Sequence, residues 1–68
     1  MKIFGERLKE LRTERKLTQR ELALQTKLTQ SAIASWEVDR QGVTAESLVV
    51  LAKFFNTSVD YLLGLKDE

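Results

Sequence analysis

Gln30, Ser31, Ala34 and Ser35 are the residues of this chain whose types and spacing suggest molecular recognition. A glutamine amide carries a donor and an acceptor side by side, and each serine hydroxyl can play either part. Residues at these spacings share one face of a helix. From Leu28 to Trp36 there is no Lys, Arg, Asp or Glu. A short uncharged helix with small polar groups on one face suits the major groove of DNA, where base edges offer hydrogen-bonding atoms and thymine methyls. A glutamine there can pair bidentately with adenine, and Ala32 or Ala34 can meet a thymine methyl.

Affinity for DNA also needs cations against phosphates. The 68 residues carry 11 Lys/Arg and 10 Asp/Glu, a formal net charge of +1. Residues 1–40 hold nine of those cations against six acids, and residues 41–68 hold two against four. A basic N-terminal half and an acidic C-terminal half suit a protein that presents one face to phosphates. The cations nearest the uncharged segment are Lys27 and Arg40, with Arg15, Lys16 and Arg20 as second-tier candidates.

Other chemistries fare poorly. There is no cysteine and no histidine, so disulfides, thiolate ligands and an ordinary zinc site are excluded. A nucleophile and base would have to come from Ser with Lys or a carboxylate, and no glycine-rich phosphate loop is present. A non-enzyme without metal or cofactor is expected. The longest apolar run, around Leu48 to Ala52, is too short to cross a bilayer, and residues 1–7 lack the apolar centre of a signal peptide. A cytoplasmic location without a membrane partner follows as the expectation.

The elements that must position these residues read as five helices and no strands, one all-α domain over residues 1–68. The first runs from about Ile3 to Arg15, with Phe4, Leu8 and Leu11 as its apolar stripe. Thr18 opens the second, and Thr18 with Glu21 fits a capping box. Thr29 opens the third, whose inward residues are Ile33 and Trp36. Thr44 opens the fourth, with Leu48, Leu51, Ala52 and Phe55 inward and Asn56 as a left-handed stop. Ser58 opens a last short helix ended by Gly64, and Leu65 to Glu68 is expected to fray.

Two short helices joined by a tight turn and leaning on a first helix describe a helix-turn-helix. Gly5, Arg7, Leu8, Lys9, Leu11 and Arg12 begin a longer pattern. It continues through Leu17, Thr18, Gln19, Glu21, Leu22 and Ala23, then Thr29, Gln30, Ile33, Trp36 and Glu37. Leu48, Leu51 and Ala52, then Ser58 to Leu63, complete it. This pattern resembles the phage lambda repressor/Cro-type helix-turn-helix family, the xenobiotic-response-element-type regulators, over residues 3–65.

The resemblance implies a compact five-helix DNA-binding domain, with the helix-turn-helix at about residues 18–37, acting as a transcriptional regulator and commonly a repressor. It implies that Gln30, Ser31 and Ser35 face base edges with Ala34 beside them. Gln19, Arg20, Lys27, Thr29 and Arg40 would serve the phosphate backbone. It also implies that Arg12 and Glu37 pair. A helix N-terminus directs free amides and a partial positive charge at an anion, which agrees with the role given to Gln19.

The sequence departs from the family where glycine is favoured: Lys16, Lys27 and Asp39 stand at the three helix ends, and Val43 replaces a proline before the fourth helix. A left-handed backbone at Lys27 would cost on the order of 1 kcal/mol relative to glycine. Val50 and Phe54 lie off the inward stripe of the fourth helix. With Val59 and Leu63 they suggest an exposed apolar patch serving as a twofold homodimer interface. The competing reading is an antitoxin-like or co-regulatory module whose fourth and fifth helices bind a protein partner.

Overall fold

The computed structural model describes residues 2–67, so Met1 and Glu68 lie outside the described residues. The expected all-α architecture is present: α1 Lys2–Glu14, α2 Gln19–Thr26, α3 Gln30–Glu37, α4 Ala45–Phe54 and α5 Val59–Leu63. Among the described residues no helix is long and apolar enough to cross a membrane. The first helix begins and ends one residue earlier than its periodicity suggests.

Helices of this length are marginal alone, so their ends matter. Thr18, Thr29, Thr44 and Ser58 each accept a hydrogen bond from the backbone N–H three residues on. Thr18 and Glu21 complete the capping box, with Thr18 Oγ1 accepting at 3.0 Å and the Thr18 amide donating to Glu21 Oε1 at 2.9 Å. The Thr18 amide bond to the carboxylate, with the Thr18 hydroxyl in support, favours the ionised form and holds Glu21 below its usual pKa.

All five helices stop by one device. Lys16, Lys27, Asp39, Asn56 and Gly64 take positive φ, and the next residue's N–H bonds back across the final turn. The five closing bonds are Leu17 to the Arg12 carbonyl, Leu28 to Ala23, Arg40 to Ser35, Thr57 to Ala52 and Leu65 to Asp60, at 2.8–3.1 Å. This is the geometry of a Schellman motif. Only one of the five is glycine. Asp and Asn tolerate the left-handed region, but lysine does so under strain.

The core is assembled from Phe4 and Leu8 of α1, Leu22 of α2, Ile33 and Trp36 of α3, Leu51 and Phe55 from α4 and its end, and Leu62 of α5. Phe4 meets Trp36 edge-on, with ring centroids 6.0 Å apart, and Trp36 Nε1 donates to the Gly42 carbonyl at 3.2 Å, anchoring the α3–α4 loop. Gly5 lets the two backbones close up. A Cβ there would lie 2.3 Å from the Trp36 carbonyl oxygen and 3.1 Å from that of Glu37.

Part of the segment expected to fray is held by contacts from α1. Arg7 donates to the Tyr61 carbonyl and, at 2.6 Å, to that of Lys66. Its guanidinium lies over the Tyr61 ring at 4.2 Å and within 3.8 Å of Asp67. Glu68, the last residue of the expected fraying segment, lies outside the described residues.

Gly5→Ala should lower unfolding stability by about 1–3 kcal/mol, the range for overpacking, as read from the urea midpoint. Alanine's better helix propensity would act in the opposite direction by about 1 kcal/mol. A midpoint that rises would contradict the close approach of α1 to α3.

Candidate nucleic-acid interface

The site grows from the contrast between the two faces of α3. Ile33 and Trp36 are buried, which directs Gln30, Ser31, Ala34 and Ser35 to the other side. Gln30 and Ser31 are exposed, while Ala34 and Ser35 are half-buried. The four therefore form one continuous face, open at the helix's start and shallower toward its end.

The face is fixed from behind by a largely buried charge pair. Arg12 Nε donates to Glu37 Oε2 at 2.7 Å and Nη2 donates to Oε1 at 2.9 Å, the forked geometry of a bidentate bridge. Arg12 Nη1 also donates to the Leu17 carbonyl at 2.8 Å. Only 12% of the Arg12 side chain and 3% of the Glu37 side chain are exposed. The Glu37 hydrogen bond, with its charge in support, raises the Arg12 pKa against the opposing effect of burial. The residue types alone do not show that this pair is largely withdrawn from solvent. Burial changes its weight, since removing one partner from such a pair typically costs about 3–5 kcal/mol.

Gln19 joins the same cluster. Its Nε2 donates to Glu37 Oε1 at 3.1 Å, and the residue is half-buried. One amide proton is thus committed inside the protein, and a second remains for an anion at the start of α2. Thr29 Oγ1 accepts from the Ala32 amide at 3.0 Å, which leaves its own hydroxyl proton to donate. Arg20, Lys27 and Arg40 are exposed, as is Lys16.

Arg15 is used differently from the other second-tier cations. Its Nη1 donates to the Phe54 carbonyl at 2.9 Å, and its guanidinium lies 5.2 and 5.1 Å from the Phe54 and Phe55 ring centres. It caps the end of α4. Nothing in the sequence marks this, because the partner is a backbone carbonyl far along the chain.

The proposed dimer patch is smaller than its sequence outline. Phe54, Val59 and Leu63 are half-buried and packed against the core, with Phe54 also edge-on to Phe55. Val50 is exposed at 38%, beside Val49 at 43%. Val49 is not part of the patch outlined by Val50, Phe54, Val59 and Leu63. It stands next to the inward Leu48, and periodicity alone leaves its orientation at the edge of the apolar stripe.

Comparison with known proteins places this geometry in a class. The helix-turn-helix domain family matches residues 5–68. The chain belongs to that family, a DNA-binding class of transcriptional regulators and not an enzymatic one. It is 42% identical over 61 residues to the HTH-type transcriptional activator BcrR of Enterococcus faecalis, covering 90% of this chain and 30% of that protein. It is 39% identical over 69 residues to control protein C.SmaI of Serratia marcescens, covering 97% and 82% respectively. The crystal structure of the restriction-modification controller protein C.AhdI from Aeromonas hydrophila is similar at TM-score 0.78 and 32% identity. That match covers 87% of this chain and 86% of that one. Across three of its curated relatives the chain spans 30% to 59% of their length.

Lys27 holds φ +61° and also offers charge just ahead of α3. Lys27→Gly should therefore raise unfolding stability by about 1 kcal/mol while weakening DNA binding and making the salt slope about one unit shallower per subunit. Paired melting and salt-titration measurements check both signs. No change in either would remove the strained-turn picture.

Proposed function

We propose that this chain is the DNA-binding domain of a transcriptional repressor that recognises a near-palindromic operator as a homodimer. Each subunit lays α3 in the major groove, where Gln30, Ser31, Ala34 and Ser35 read base edges. Gln19, Arg20, Lys27, Thr29 and Arg40 hold the flanking phosphates, with Lys16 beside them. The observation that supports this reading most strongly is the outward, uncharged face of α3 on a buried Arg12–Glu37 bridge. Such a helix can probe base pairs without losing its orientation.

The absence of Lys and Arg between Leu28 and Trp36 separates the two tasks. Sequence discrimination belongs to hydrogen bonds and methyl contacts from α3, and electrostatic affinity to its surroundings. The subunits meet through the α4–α5 region, where Val50 supplies the exposed centre and Phe54, Val59 and Leu63 the half-buried surround. This arrangement would set the two reading helices about 34 Å apart, one turn of DNA. Repression is the simplest consequence, because occupying a promoter requires no contact beyond the DNA.

Selection from a pool of random duplexes, followed by titration across salt concentrations, tests this function. The wild type should enrich an inverted repeat. Gln30→Ala should make one base pair in each half degenerate, losing about 1–3 kcal/mol of discrimination there. Four cations per subunit, Lys16, Arg20, Lys27 and Arg40, correspond to a log–log salt slope of about −7 for a dimer and about −4 for one subunit. A pool without enrichment would overturn the DNA-reading role, and a slope near the smaller value would overturn the dimer.

A further inference from the structure

Two arginines of α1, Arg7 and Arg12, and Arg15 just beyond its end each grip the C-terminal end of a different part of the fold. Arg12 holds Glu37, the last residue of α3. Arg15 holds the carbonyl of Phe54, the last residue of α4. Arg7 holds the carbonyl of Tyr61 in the last turn of α5, and that of Lys66 just beyond it. A guanidinium suits each position, since the end of a helix presents unpaired carbonyls and a partial negative charge. Each of Arg7 and Arg15 also lies over an aromatic ring of the element it caps, which restricts its plane as well as its position.

The three grips divide the molecule in two. Arg12 fastens the unit that carries the reading helix, while Arg7 and Arg15 fasten the α4–α5 unit. Otherwise α4 packs mainly on α2 and α5, and α5 on α1 and α4. The tilt of the α4–α5 unit relative to α3 is thus braced at two points, from the middle of α1 and from just beyond its end.

We propose that Arg7 and Arg15 are positioning residues for operator geometry: they set the distance and angle between the two reading helices, and so select the half-site spacing. This rests on the twofold-dimer reading given above. If α4 and α5 form the dimer seam, a change in their tilt moves the two copies of α3 in opposite directions, because a twofold axis doubles any displacement within one subunit. Base reading within one half-site is unaffected, because Arg12 and Gly5 fix α3 separately.

The test measures binding of full-chain wild type, Arg7→Met and Arg15→Met to duplexes carrying the selected inverted repeat. The spacer between half-sites is set at its selected length or made one base pair shorter or longer. A duplex with a single half-site serves as the reference, and circular dichroism verifies folding. The wild type should favour one spacer about tenfold or more over its neighbours. Each methionine variant should shrink that preference to about threefold or less while single-half-site affinity changes by less than about twofold. A general loss of stability would weaken binding to every duplex alike and leave the preference intact. Arg7→Lys and Arg15→Lys keep the charge without the planar fork and should show an intermediate preference. They decide the matter if a methionine variant does not fold. Folded variants that retain the full wild-type preference would overturn the proposal. A wild type that binds single half-sites but ignores spacing would instead overturn the dimer reading on which it rests.

Discussion

The bidentate bridge between Arg12 and Glu37 is the constraint on which the rest of the structure depends. It lies at the meeting point of α1, the corner after it, the start of α2 and the end of α3, since Arg12 also holds the Leu17 carbonyl and Gln19 also holds Glu37. Two charges taken from water are expensive unless geometry and further hydrogen bonds compensate. Here both carboxylate oxygens and three guanidinium nitrogens have partners. The bridge therefore acts less as a source of stability than as a means of specifying one orientation for α3. Gly5 performs the complementary task nearby, permitting the close backbone approach that brings Glu37 within reach of Arg12.

Around that point the chain makes economical use of local rules. Short helices need their ends closed, and here hydroxyl caps open four of them while left-handed residues close all five. Local preference and global fold agree at almost every such position, which favours a single folded state. Lys16 and Lys27 are the exceptions. Both would be more relaxed as glycine, and both place charge on the side expected to approach phosphates. Conflicts between local rules and fold are characteristic of functional positions.

Much of this was legible in the residues themselves. Caps and stops are local signals, so Thr18, Thr29, Thr44, Ser58, Asn56 and Gly64 could be placed from their neighbours alone. The Arg12–Glu37 pair followed from the family resemblance, and its burial did not, because burial depends on how three helices meet. The inward face of α3 followed from the spacing of Ile33 and Trp36. The roles of Arg7 and Arg15 were not legible. Their hydrogen-bond partners are carbonyls 54 and 39 residues away, and a carbonyl has no residue identity to search for. The partial burial of Phe54 was not legible for a related reason: helical periodicity measures angle around one axis and carries no information on Arg15, which reaches the ring from just beyond α1.

A double-mutant cycle on the bridge is the most direct examination of this picture. It requires unfolding free energies for wild type, Arg12→Met, Glu37→Leu and the variant carrying both changes. If the bridge fixes α3, each single change strands a buried charge and should cost about 3 kcal/mol or more. The double variant should then regain part of that loss, with a coupling energy of at least about 1 kcal/mol. Losses that simply add would mean that Arg12 and Glu37 stabilise the fold independently, and that the orientation of α3 has some other origin.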